Sequence, residues 1–242
     1  MTIHDKSFRG FSKEFFRFFG DLEKNNNLTW FHKNKHRYQN FIVEPAKSFV
    51  SELSPFLNRL NPSIRTEPKF NQTLLRINKD MRFVKEEPYK TYFLIHFGRF
   101  KLDSEFYLYF DSQSAQIGLF INNTNGPNLF FKKNLNMYRK QIIDVCKKYK
   151  INNKYSLYEL KKEAEPVLKK FEADKHLPKL ENINYILFQK IKDPSWDKIS
   201  SDKLVIEFIK MISNLYPLYC FAIATDPLKE LKKYEENFGT IL

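Results

Sequence analysis

The chain reads as an α+β protein with N-terminal helices, a central antiparallel meander sheet, and C-terminal helices packed on that sheet. Three observations predict it. Apolar residues recur at three- and four-residue steps up to Leu60, the period of a helix face. From Leu74 the period falls to two, the signature of strands. The connections between those strands, Leu102–Ser104 and Ser112–Ala115, are too short for crossover helices, so neighbouring strands must be antiparallel.

Phe8, Phe11, Phe15, Phe18, Phe19 and Leu22 form one aromatic stripe, with Ser12 as a candidate N-cap and Lys13, Glu14, Arg17 and Asp21 on the wet side. The polar run Lys24–Asn27 ends this helix, and Thr29 is a candidate cap for a second helix carrying Trp30, Phe31, Tyr38, Phe41 and Ile42. Pro45 suits the first turn of a third, whose face holds Phe49, Leu53, Phe56, Leu57 and Leu60 and which Pro55 should kink or divide. Asn61-Pro62 closes the helical region.

The strands follow. Phe93, Ile95 and Phe97 alternate with Tyr92, Leu94 and His96; Phe106, Leu108 and Phe110 alternate with Tyr107 and Tyr109; Ile117, Leu119 and Ile121 continue the pattern. Asn122–Asn128 is a loop, after which Leu135, Tyr138, Ile142, Val145, Cys146 and Tyr149 define one long helix. Ser156 is expected to start another, interrupted at Pro166. Tyr185–Lys192 reads as a strand, and Leu204–Leu215 as a helix stopping before Pro217, which opens a final helix through Ala224. One domain over residues 1–242 is expected, with Lys150–Lys154 as a weak candidate boundary.

The chain has 242 residues, enough to bury a full core, and its 25 Phe and 13 Tyr predict aromatic core and pocket walls. Cys146 and Cys220, far apart and without metal-ligand spacing, read as small buried hydrophobes in a reducing compartment. The N-terminus has no signal-peptide pattern, and no run reaches the ~18 apolar residues of a membrane span. These features predict a soluble cytoplasmic protein with no membrane partner. The net charge is +13 and is regional: Lys132–Lys179 holds 14 Lys/Arg against 6 Asp/Glu. All but one of those cations are lysines, which suit a solvated helix surface or, alternatively, a polyanion.

Familiar chemistry is sparse. Only six glycines are used, and no Gly-rich phosphate loop, nucleophile elbow or carboxylate cluster occurs, so nucleotide cradles, serine hydrolysis and bound cofactors are not expected. His32 and His36 share a helical face but lack the Glu of H-E-x-x-H and a third ligand, so no metal is expected. Glu86 and Glu87 point to opposite faces of an extended segment, which disfavours joint acid/base work.

The site signal is Leu74–Thr91, which carries eight charges: Arg76, Lys79, Asp80, Arg82, Lys85, Glu86, Glu87 and Lys90. If Leu74–Asn78 is a strand, Arg76 and Asn78 share one face, and the next turn folds Asp80 and Arg82 back toward them. Asp80 then orients Arg76 or Arg82 in a bidentate ion pair, leaving guanidinium donors for a carboxylate or phosphate. Lys79 and Lys90 add cations, while Trp30 and Tyr89 flank the ligand. This predicts a binding protein for an anionic small molecule or nucleic acid. The alternatives are an enzyme with Asp80 as general base and a structural module in which the cluster is an ion-pair staple.

Arg76, Lys79, Asp80, Arg82 and Phe83, followed by Pro88-Tyr89-Lys90-Thr91, resemble the R-x-x-R-D-x-R-F and P-Y-K-T motifs of the domain of unknown function 2461 family. Asn25-Asn26-Asn27, Trp30-Phe31 and Tyr38 are similar to its N-N-x-x-W-F and Tyr pattern. Lys79 stands where the family usually has Arg, and Glu86-Glu87 replaces an acidic-Lys pair. The resemblance implies kinship of fold and the location of a site; it names no reaction and carries over no catalytic residue.

Overall fold

The computed structural model of the protein describes residues 7–80, 82 and 86–239. Helices α1 (Lys13–Lys24), α2 (Leu28–Arg37) and α3 (Glu44–Leu60) open the chain, with a π-helical turn, Tyr38–Val43, joining the second to the third. Strands β1 (Phe93–Phe97), β2 (Glu105–Phe110) and β3 (Ala115–Asn122) follow. Then come α4 (Phe131–Met137), α5 (Arg139–Lys148), the hairpin β4 (Tyr155–Leu160) and β5 (Ala164–Leu168), α6 (Ala173–Leu180) and β6 (Tyr185–Lys190). Helices α7 (Trp196–Ile199), α8 (Lys203–Ile223) and α9 (Pro227–Phe238) end it. The α+β class and the helix-sheet-helix order are those the periodicities predict.

The strands form one six-stranded sheet in the order β1-β2-β3-β6-β4-β5. The β3–β6, β6–β4 and β4–β5 pairs are antiparallel, with Leu119 opposite Phe188 and Phe188 opposite Leu157. Those three residues are fully buried, while Phe120 and Tyr158, one position along, are half-buried, as period-two alternation requires.

The chain divides into two compact units. The first comprises Met1–Phe97, Tyr107–Gln116 and Asp193–Ile209. Its core is aromatic: Phe15 sits 4.6 Å from Phe110 and 6.3 Å from Phe93, and Phe49 packs edge-on against Phe208. Each such pair adds about 0.5–1.5 kcal/mol beyond the area it buries. The second comprises Gly98–Phe106, Ile117–Lys192 and Lys210–Leu242. There α8 covers strands through the Phe106–Tyr219 contact and through the Tyr155 hydroxyl, which donates to Asn214 Oδ1 at 2.8 Å.

Several local expectations are corrected. Ser156 does not start a helix; residues 155–168 form the β4–β5 hairpin because β4 completes the ladder of β6. Pro166 is accommodated because β5 is an edge strand. The helix expected over residues 135–149 is two, broken at Tyr138, whose φ of −121° and ψ of 30° leave the helical region. Asn27, not Thr29, caps α2, accepting from the Trp30 amide at 2.9 Å. Ser12 occupies the N-cap position of α1 without a side-chain capping bond.

The prolines also differ from expectation. Helix α3 runs through Pro55, and the exposure of Ser51 opens the carbonyl that Pro55 cannot satisfy to water. Helix α8 likewise continues through Pro217. The orphaned carbonyl there belongs to Ser213, and the Tyr234 hydroxyl of α9 donates to it at 2.8 Å. Helix α9 itself was not foreseen, although Asp226 caps it and Pro227 occupies its first turn. Helix α8 is long and apolar enough to cross a membrane, contrary to the expectation that no run qualifies, yet 83% of its apolar window is buried inside the protein. Cys146 and Cys220 are free and buried; burial pushes the Cys146 thiol up to about 12.

Candidate functional site

The expected strand Leu74–Asn78 is reduced to isolated bridges that switch partners midway. Leu74 bridges Ile95 of β1, and the Leu75 amide donates to the Leu94 carbonyl at 3.0 Å. Farther on, Asn78 bridges Tyr89, the Lys90 amide donates to the Ile77 carbonyl at 2.7 Å, and the Lys79 amide donates to that of Pro88 at 2.8 Å. Ile77 is buried and Arg76 and Asn78 are exposed, the facing the alternation predicts. Residues 77–79 and 88–90 thus form a two-stranded stem, and Asp80, Arg82, Glu86 and Glu87 are the described charged residues of the loop on it. Phe83 and Lys85 lie outside the described residues.

The loop's stem is held from the α1–α2 corner. Asn26 donates its Nδ2 to the Tyr89 carbonyl at 2.9 Å and accepts the Tyr89 amide on Oδ1 at 3.1 Å, pairing with that residue as a strand would. Its neighbours finish the two helices: Asn25 donates to the Asp21 carbonyl, and Asn27 caps α2. The Tyr89 ring stacks on Phe31 at 4.2 Å, and Phe31 in turn contacts Tyr38 at 5.4 Å. The Asn triplet, Phe31, Tyr38 and Tyr89 are therefore one device that docks the charged loop on the first two helices. Replacing Asn26 with Ala leaves a part-buried peptide group of Tyr89 without its two partners, which is expected to cost about 1–3 kcal/mol in urea denaturation, whereas Asn25→Ala, at a solvated corner, should cost less.

Within the loop Asp80 selects Arg82. Its Oδ2 accepts from Nη2 at 2.6 Å, and its Oδ1 accepts from Nε at 3.0 Å and from the Arg82 amide at 3.1 Å. The Arg82 hydrogen bond holds the Asp80 carboxyl below its ordinary value. The pair is no buried staple: the Arg82 side chain is 81% exposed. The Lys90 ammonium donates to the carbonyls of Arg76 at 2.8 Å and Asn78 at 3.1 Å. Desolvation, then the charge of nearby Lys79, lowers its pKa. Lys79 reaches Glu87 at 3.3 Å. Among the described residues, no carboxylate or carbonyl accepts from the Arg76 guanidinium.

Of the two rings expected to flank the ligand, Tyr89 is buried and Trp30 is half-buried. Tyr89 is 3% exposed, and the Trp30 ring packs on Phe18 at 5.6 Å. His32 and His36 are both exposed on α2. In the lysine-rich stretch Lys148, Lys161 and Lys175 pair with Glu235, Glu165 and Glu172, and the remaining lysines are mostly exposed. The sequence reading overlooked Arg99, Asp103 and Arg37. Arg37 ties α2 to α1 through Asp21 at 2.9 Å and Glu14 at 3.4 Å.

The arrangement is that of an α+β protein that docks a charged loop on its first two helices by an asparagine clamp. The chain belongs to the family described as Conserved hypothetical protein (DUF2461), whose model matches residues 14–221. No curated protein and no solved structure matches the chain.

Proposed function

We propose that the protein binds an anionic ligand, bearing phosphate or carboxylate, through Arg76, Lys79, Arg82 and Lys90. The observation that carries this reading is the pairing of Arg76 and Lys90. The Arg76 guanidinium is exposed and, among the described residues, without an acceptor, while the backbone carbonyl of Arg76 accepts from the Lys90 ammonium. Two of the three Lys90 donors go to backbone carbonyls, so one remains for a ligand. Lys79 is near enough to lower the pKa of Lys90, and an anion relieves such a pair of like charges. Asp80 orients Arg82 in the same loop without neutralising Arg76.

Nucleic acid is the extended form of such a ligand, and in the second unit the exposed lysines of residues 132–179 offer phosphate contacts of their own. The free, buried cysteines support a cytoplasmic setting. An enzymatic reading needs Asp80 as a base, but the Arg82 bond that lowers its pKa weakens it as one. An ion-pair staple is disfavoured because the exposed Asp80–Arg82 pair spans only two residues.

Calorimetric titration with inorganic phosphate, citrate and an oligothymidylate tests the reading. Arg76→Ala should weaken binding by about tenfold or more. Binding requires charged Lys90, so it should fall as pH rises through the lowered Lys90 pKa, below the ordinary lysine range. Equal affinities for wild type and Arg76→Ala would refute the assignment. A loss of affinity with salt confined to the oligonucleotide would identify the extended ligand.

A further inference from the structure

A second candidate site lies elsewhere in the first unit, and neither the charged loop nor its motif contributes to it. A groove of about 510 Å³ is lined by Lys13, Phe16 and Arg17 of α1, by Ser112–Ala115 of the β2–β3 turn, and by Asp193, Pro194, Trp196 and Ile199. Its volume lies in the range of small-molecule sites, about 300–1,000 Å³.

The walls are rigid for local reasons. Asp111 Oδ1 accepts the amides of Gln113 at 2.8 Å and Ser114 at 2.7 Å, fixing the β2–β3 turn. The Phe11 amide donates to the Ile199 carbonyl at 2.8 Å, pinning α7 beside the start of α1. On this frame stands Trp196, an indole 41% exposed, its ring edge-on to Phe16 at 5.9 Å. Lys13 Nζ lies 6.0 Å from the centre of that ring. Among the described residues no carboxylate pairs with Lys13, and Arg17, paired with Glu14 at 2.7 Å, adds a second cation at the rim.

An exposed indole offers a stacking surface for a flat ring, and an ammonium at its face is attracted to both the indole and an anion. We propose that this groove binds a small molecule in which one flat aromatic ring carries a single carboxylate or phosphate. The ring stacks on Trp196 over Phe16 and Ile199, and the anionic group meets Lys13 and Arg17. Asp193, also in the lining, restricts the ligand to one anionic group by like-charge repulsion. Desolvation, then the charge of Asp111, raises the Asp193 pKa.

The chain has two tryptophans, so Trp30→Phe leaves Trp196 as the single indole reporter. Titrating this variant with adenosine monophosphate and 4-hydroxybenzoate, with adenosine and inorganic phosphate as controls, should give saturable change in Trp196 emission with one of the two acids. Both controls should bind about tenfold more weakly or worse. The acid that saturates distinguishes a phosphate from a carboxylate ligand. Lys13→Glu, at an exposed position, and Trp196→Leu, followed by calorimetry in the wild-type background, should each weaken binding by about tenfold or more, while Arg76→Ala should leave it unchanged. Saturation by neither acid, affinity unmoved in both groove variants, or affinity lost in Arg76→Ala would overturn the assignment. The last outcome would transfer the ligand to the charged loop.

Discussion

Asp103→Asn should destabilise the protein by about 3–5 kcal/mol, a large share of the about 5–15 kcal/mol that holds a domain folded. Asp103 is fully buried in the connection from β1 to β2, and its carboxylate grips Arg99 with both oxygens: Nε donates to Oδ2 at 2.8 Å and Nη2 to Oδ1 at 2.9 Å. The Arg99 amide donates to the same carboxylate at 3.0 Å. The guanidinium then reaches the carbonyls of Ile223, at the end of α8, at 2.8 Å and of Asn128 at 2.9 Å. One buried ion pair thus closes a connection and satisfies two distant backbone acceptors. The Asn variant keeps the shape but sets an amide N–H₂ against guanidinium donors and leaves a cation, 16% exposed, without its counter-charge. Arg99→Met should cost at least as much, because it strands the Asp103 charge. Urea denaturation measures both; a loss under about 1 kcal/mol for Asp103→Asn would show that the network is dispensable.

The contrast between this pair and the charged loop shows how far the sequence can be read. The loop was legible because its charges are dense over a few residues and because the Asn triplet and Pro88-Tyr89 are local signals. Arg99 and Asp103 are ordinary charges in a short connection, and their importance comes from burial, which no local pattern announces. The aromatic stripe of α1 and the alternation of β1, β2 and β3 were likewise legible, since one buried face imprints its period directly. The β4–β5 hairpin was not. In residues 155–168, Leu157, Leu160, Ala164 and Leu168 also satisfy a helical spacing, and pairing with β6 decides between the two periods. Helix α8 defeated the usual proline rule because Tyr234, from the following helix, supplies the missing donor to Ser213. The Trp196 groove was out of reach for a simpler reason: its walls come from three segments far apart along the chain.

Gly10→Ala and Gly20→Ala should change stability in opposite directions, although both add one methyl group near α1. Gly10 has φ +96°, where an L side chain costs about 1–2 kcal/mol. Its added Cβ would lie 2.1 Å from the Ser200 carbonyl carbon and 2.2 Å from the Ser201 nitrogen, backbone atoms that cannot rotate away. Relief requires the segment that carries Phe8 and Phe11 to withdraw from the end of α7, breaking the Phe11–Ile199 bond and disturbing rings seated against Phe49. Strain and overpacking together place the expected loss at about 3–5 kcal/mol. Gly20 lies inside α1, where an added Cβ meets only Ser112 Cβ at an ordinary 3.8 Å. There the methyl group reduces the entropy of the unfolded chain, and a gain of about 0.5–1 kcal/mol is expected. Thermal melts of the two variants settle the comparison, since a shared direction would mean that helix propensity or solvation, not the close approach at Gly10, governs this end of the chain. A large loss confined to Gly10→Ala would instead locate there the contact that fixes α7, and with it Trp196, beside α1.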